Sequence, residues 1–231
     1  LVNVTQTGGG TTKPFAAGGK VRPYGGWKSK NGKYFYYVEY GASGTSGTLA
    51  DIKALDTSTF KIIDITKGMY VEYDDDNIEG VINGSRVFFW GEPGGSSGNI
   101  EQLYYFDQST ASKAVQVSNF SKPSGSSYWY LDNIMPNTDG SLVAFGAGTS
   151  TSSGLDVYVA DLTGTTPKVT KMSTIKDTVT DMKLFTPDNK HVIYGVGTTT
   201  SSLDLRIQPV GGGTAKVLES TKGYMSPTAA Y

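Results

Sequence analysis

Few side chains in this 231-residue sequence have the types and spacing that enzyme chemistry demands. His191 is the only histidine. A serine–histidine–carboxylate relay would have to pass through it, and no Gly-x-Ser-x-Gly turn accompanies it to present a nucleophile. It follows the turn Pro187-Asp188-Asn189, where neighbouring units carry Ser141 and Ser85 or Arg86, a position of ordinary strand surface. A multi-histidine metal site is excluded by the count. The absence of cysteine likewise excludes thiolate ligands and disulfides.

One charge cluster stands out: Glu72, Asp74, Asp75, Asp76, Asn77 and Glu79. Hard cations such as calcium collect many oxygen ligands, largely carboxylate. The run is not an EF-hand, because Ile78 stands where a ligand is needed. It reads as a solvated connector ahead of an inner strand, with a weak calcium site at Asp74, Asp75 and Asp76 or catalytic carboxylates as the alternatives. Four Gly/Ser/Thr segments, Gly41–Thr48, Gly91–Asn99, Gly146–Gly154 and Gly195–Ser202, lack the Gly-Lys-Ser/Thr ending of a phosphate loop and lead into no helix. They read as hairpin loops. No cofactor is implied.

Aromatic residues offer a different chemistry. Tyr24 and Trp27, Tyr70 and Tyr73, Tyr128, Trp129 and Tyr130, and Tyr224 recur ahead of similar segments. Aromatic faces stack on sugars or peptides, and they equally pack one sheet on another. Trp27, Tyr73, Tyr128, Trp129 and Tyr130 are the candidate ligand contacts. Three glycosylation sequons, at Asn3, Asn83 and Asn119, matter only in a secreted eukaryotic chain.

The elements that must position these residues come from an internal repeat. Aromatic–glycine steps at Tyr40-Gly41, Trp90-Gly91, Phe145-Gly146 and Tyr194-Gly195 each close an apolar run ahead of a Gly/Ser/Thr loop. A period near 50 residues marks a repeat architecture such as a propeller. Asn31-Gly32, Asn83-Gly84 and Asp139-Gly140 are hairpin turns. The third unit reads as four strands, 129–135, 141–145, 155–162 and 168–172. The fourth reads as 178–185, 191–194, 203–208 and 215–218. Third strands align as 49–55, 100–106, 155–162 and 203–208.

These patterns predict an all-β chain, a single domain 1–231 of four-stranded antiparallel blades. Complete blades span about 20–67, 68–119, 120–173 and 174–222. Leu1–Lys13 is similar to 205–216, so 1–19 reads as the end of a unit and 223–231 as the start of another. Joined, they would make a composite fifth blade; otherwise the chain is a segment of a larger propeller.

The turn-and-strand stretch Pro136–Phe145, with Leu155-Asp156-Val157-Tyr158-Val159-Ala160-Asp161 after it, resembles the TolB-type (WD-like) propeller repeat. Pro187-Asp188-Asn189-Lys190 and Leu203-Asp204-Leu205 repeat it, whereas the first two units lack the proline. The resemblance implies a propeller and leaves its task open. Relatives of this type also gate prolyl-oligopeptidase-type peptidases and scaffold polysaccharide lyases.

Composition narrows the classes. The net charge is −1 with only three arginines, which gives no basic stripe for nucleic acid. No apolar run is long enough to span a bilayer as a helix. The Ser/Thr/Gly/Asn/Tyr surface vocabulary points to the periplasm or the cell exterior. The reading is a non-catalytic scaffold that binds a protein or glycan partner at its long-loop end and can associate through incomplete terminal blades. Alternatives are the propeller of a larger peptidase or polysaccharide-degrading enzyme and a structural subunit of a surface assembly.

Overall fold

The computed structural model describes residues 20–21, 27–28, 32–40, 50–66, 69–71, 78–80, 85–93, 100–109, 114–121, 129–148, 155–173, 179–199 and 202–222. Among them every regular element is a strand. The first sheet holds β1 (Lys20–Val21), β2 (Trp27–Lys28), β3 (Tyr34–Tyr40), β4 (Ala50–Asp56) and β5 (Ile62–Asp64). The second holds β6 (Met69–Tyr70), β7 (Ile78–Gly80), β8 (Arg86–Pro93), β9 (Gln102–Asp107) and β10 (Val115–Gln116). The third is β11 (Tyr130–Pro136), β12 (Leu142–Gly148), β13 (Asp156–Asp161) and β14 (Lys168–Ser173). The fourth is β15 (Val179–Phe185), β16 (His191–Thr199), β17 (Ser202–Pro209) and β18 (Lys216–Lys222). All pairings are antiparallel; the third and fourth sheets are meanders in chain order, and in the first two β1 and β2 both pair with β3, and β6 and β7 both pair with β8. Among the described residues the four sheets do not close into a ring. The end segments 1–19 and 223–231, expected as partial blades, lie outside the described residues.

Turn chemistry closes the hairpins as the residue types require. Gly32 (φ 68°) and Gly140 (φ 73°) take left-handed backbone, which glycine adopts without steric cost, and Asn189 (φ 57°) does the same in the fourth unit. Asn137 accepts from the Leu142 amide at 3.0 Å and donates to the Ser141 hydroxyl, while Asp139 accepts from the Ser141 amide. In the fourth unit Thr186 and Asp188 do the equivalent work for His191 and Lys190.

Equivalent backbone bonds fix how the units superpose. Thr57, Gln108, Leu162 and Val210 donate to Lys33, Ser85, Ser141 and Lys190. On this frame Tyr37, Phe89, Phe145 and Tyr194 are counterparts, paired with Lys53, Tyr104, Tyr158 and Arg206. The aromatic–glycine steps therefore align units three and four, whereas Trp90 lies one place out and Tyr40 three. A one-residue slip turns a strand side chain to the other face, and the packing shows it. Phe89 belongs to the cluster shared with the first sheet. Trp90 belongs to the cluster shared with the third, with its ring edge-on to Phe145 at 5.7 Å.

A further expectation is corrected. Strands run on through the glycine of the step: β8 to Pro93, β12 to Gly148 and β16 to Thr199. These glycines sit inside paired strand, so the loops begin later than composition suggested. Of the acidic run, Glu72, Asp74, Asp75, Asp76 and Asn77 lie outside the described residues; β6 precedes them, β7 follows them, and both pair with β8. Register shifts mark β11 and β15.

The core sits between sheets. Tyr34, Tyr36, Ile52 and Ala54 of the first sheet meet Val87, Phe89, Tyr104 and Phe106 of the second. A second cluster joins sheets two, three and four through Phe88, Trp90, Phe145, Val157, Val159, Val192 and Tyr194. Every residue of β12 is buried, which means both of its faces are covered.

Candidate functional site

Among the candidate residues, Trp129 is described at the long-loop end with its side-chain contacts. It immediately precedes β11, whose first residue, Tyr130, pairs with Gly148, the last of β12. Trp129 therefore lies at the end from which the 149–154 segment leaves, the end expected to carry the long loops. Its indole stacks on Phe120, with centroids 4.4 Å apart and planes at 23°. Its Nε1–H donates to the Ser121 carbonyl at 2.9 Å. The side chain is half-buried.

Phe120 is held in turn from both sides. Its ring meets Phe145 and Tyr158 edge-on at 6.3 and 5.4 Å. Its backbone is clamped by Gln102, whose Oε1 accepts from the Phe120 amide at 2.8 Å and whose Nε2 donates to the Phe120 carbonyl at 3.1 Å. Ser118 completes the network by donating to Gln102 Oε1 and accepting from the Leu103 amide. Gln102 is 3% exposed and satisfied at both ends of its amide, as a buried polar group must be. The chain of positioning runs Gln102, Phe120, Trp129.

The result is an indole with one face against Phe120 and its N–H already engaged. The ring is uncharged, half-buried and held in its rotamer by these contacts. Such a surface can stack on a sugar ring or an apolar side chain at low entropic cost. It offers no proton chemistry.

Other sequence candidates are not gathered there. Trp27 opens β2 and pairs with Tyr36 of β3, whereas β1 pairs with Glu39 and Tyr40 at the far end of that strand. Tyr73, Tyr128 and the carboxylates Asp74, Asp75 and Asp76 lie outside the described residues. Among the described residues no group of three or more His, Asp or Glu could hold a metal ion. His191 opens β16 opposite Pro209, as the strand-surface reading expects. Of the sequons, Asn119 is exposed, and Asn3 and Asn83 lie outside the described residues. Tyr158 of β13 stacks on Phe145 at 5.5 Å and meets Phe120 edge-on, so it belongs to the Trp129 cluster.

The opposite, hairpin end carries carboxylates with structural work. Asp56, Asp107 and Asp161 end the third strands, and each accepts from the hydroxyl and amide two residues on, at Ser58, Ser109 and Thr163. Asp107 also accepts from Ser85 and Arg86, and Arg86 reaches across to the Gly140 carbonyl of the third sheet. Burial pushes the Asp107 carboxyl up, but bonds from Ser109, Ser85 and Arg86 outweigh it and hold the group down at about 2. The Ser58 hydroxyl and Thr59 amide likewise hold Asp56 at about 2.

No family model matches the sequence, and no curated protein matches it. Likeness appears among solved structures. Prolyl oligopeptidase B from Galerina marginata superposes with a TM-score of 0.57 at 13% identity, over 88% of this chain and 30% of the peptidase. Oligogalacturonate lyase in complex with manganese gives 0.53 at 13% identity, over 87% of this chain and 54% of the lyase. The fold is a β-propeller. TolB from Acinetobacter baumannii gives a TM-score of 0.47 at 16% identity, over 87% of this chain and 43% of that protein. The chain spans less than two thirds of the length of each of these structures. Among the described residues no helix is long and apolar enough to cross a membrane.

Proposed function

We propose that this chain is a non-catalytic, extracytoplasmic propeller that binds a protein or glycan partner at its long-loop end, with Trp129 as the anchor. The observation that carries the reading is the pre-set indole. Phe120 backs it, Ser121 holds its N–H, and Gln102 fixes both from the core. A rigid half-buried aromatic pays little ordering cost on binding, which is why such residues dominate interface energetics. Nothing described at this end offers a nucleophile or base beside the ring.

Fluorescence titration with a panel of neutral and acidic oligosaccharides and peptides tests it. The wild-type chain should respond to at least one member. Trp129→Ala should weaken that binding by about 2 kcal/mol. Ile62→Ala, 50% exposed on the outer strand β5, should leave it unchanged. Equal losses in both variants would count against the site.

A second reading, the propeller portion of a larger enzyme, is favoured by the superposition on the peptidase, of which this chain spans 30%. Under that reading catalytic groups reside on other polypeptide, and the isolated chain neither hydrolyses peptides nor cleaves uronates.

A further inference from the structure

Gln102, Asp156 and Asp204 occupy one column of the repeat frame, at the start of the third strands. In the second sheet Gln102 is satisfied by Ser118 and by both backbone groups of Phe120. In the fourth sheet Asp204 uses both oxygens, accepting from the Ser220 hydroxyl at 2.6 Å and from Arg206 at 3.0 Å. Asp156 of the third sheet differs. Its Oδ2 pairs with the Lys171 amino group, while its Oδ1 is covered and has no hydrogen-bond partner. A buried carboxylate oxygen without a donor is costly, so native structures seldom keep one without a reason.

The register places this pair beside Trp129. Leu131, Ala147 and Asp156 form one row across β11, β12 and β13, and Trp129 lies two residues from Leu131 at the long-loop end. Two strand spacings, about 10 Å, separate the ends of such a row. Tyr158 follows Asp156 by two residues and so faces the same way, and it pairs with Lys171. Tyr158 in turn meets Phe120 edge-on, and Phe120 carries the Trp129 indole. The Lys171 and Asp156 side chains are 43% and 19% exposed. The pair is therefore reached from solvent, although Oδ1 itself is covered.

We propose that the Lys171–Asp156 pair is the polar half of the Trp129 site and that the partner there is a neutral sugar chain. The inference rests on the Trp129 reading and narrows its partner. A hydroxyl is donor and acceptor at once. Entering beside Lys171, it takes an N–H from the ammonium, displaces that side chain from the carboxylate and gives its own proton to Asp156 Oδ1. Adjacent hydroxyls of a pyranose engage both members of the pair while the apolar face of a neighbouring ring lies on the indole. A separation of about 10 Å gives the two rings separate seats. A uronate fits less well, because Asp156 already offsets the Lys171 charge and repels a second carboxylate. An apolar peptide side chain would use the indole and leave the pair without a role.

Calorimetric titration of the full 231-residue chain with neutral hexose and N-acetylhexosamine oligosaccharides, oligogalacturonates and apolar peptides tests it. A neutral oligosaccharide should bind more tightly than any uronate or peptide. Asp156→Asn and Lys171→Met should each weaken that binding about tenfold or more, since hydrogen bonds to charged groups are lost. The double variant should lose less than the product of the single losses, because the two residues act together. Deoxy analogues of the bound sugar, titrated against the unaltered chain, read the same contacts without depending on how a variant folds, and at least one should bind about tenfold more weakly. Binding that falls in Trp129→Ala but not in Asp156→Asn, Lys171→Met or any deoxy analogue overturns this inference and leaves the Trp129 reading standing. Binding that survives Trp129→Ala overturns that reading instead. A chain that binds no neutral sugar, or prefers a uronate or a peptide, also overturns the inference.

Discussion

Gln102 stands where the other units carry Asp51, Asp156 and Asp204, and that single exchange underlies the Trp129 site. A carboxylate there could accept from the Phe120 amide but could not donate to its carbonyl; the amide side chain does both. Gln102→Ala should cost about 1–3 kcal/mol, because it strands buried backbone groups of residue 120 and the Ser118 hydroxyl. Denaturant unfolding measures the loss, and the Trp129 emission of the native state should shift as the stack loosens. Asp107 gives a pH test. Its carboxyl is depressed from 3.8 to about 2, so its stabilisation is full above pH 4 and disappears as pH falls towards 2. Asp107→Asn should flatten the acid limb of the stability profile in that window. An unchanged acid limb would show that the Ser85, Arg86 and Ser109 bonds do not hold the group. The Asp-x-Ser/Thr steps at Asp56, Asp107 and Asp161 were readable in the sequence, since they recur at the third-strand ends. The Gln102 clamp was legible only as an odd residue in an aligned column, because its partners Ser118 and Phe120 are distant along the chain.

Strand boundaries show how local signals mislead at the scale of the element. Glycine weakens strands on average, so the aromatic–glycine steps looked like strand ends. Pairing overrides that preference: Gly91 opposes Gln102, Gly146 opposes Val157 and Gly195 opposes Leu205. Gly91→Ala should accordingly be tolerated. Its added Cβ would meet Phe89, Val71 and Tyr104 at 3.6–3.7 Å, ordinary contact distances. The smaller loss of chain entropy on folding should stabilise by about 0.4–1 kcal/mol. Gly140→Ala should behave oppositely. Its φ of 73° strains an alanine by about 1–2 kcal/mol, and its carbonyl also receives Arg86. Thermal melts of the two variants should move in opposite directions; a parallel fall would contradict the continuous β8 strand. The split inner strand of the second sheet was not legible, because a few paired residues on each side of a charged run carry no period of their own.

The repeat gave the architecture of the whole molecule well before its task. Period, hairpin turns and third-strand alternation led to four antiparallel sheets, and these are the sheets present. What one-dimensional matching missed was the facing of side chains, since the second unit is offset by one residue and the first by three. That offset decides which aromatic joins which pair of sheets, and burial alone reveals it. Function was less legible still, because a propeller supports many tasks, and the proposed contact end rests on the three-residue chain from Gln102 to Trp129. The central claim is that consecutive units pack face to face in this register, with Trp90 of the second sheet against Phe145 of the third. A double-mutant cycle with Trp90→Leu and Phe145→Leu tests it most directly. The account predicts a coupling of about 0.5–1.5 kcal/mol, the worth of an edge-to-face pair beyond its buried area. Additive losses, with the coupling appearing between Phe89 and Phe145 instead, would contradict it.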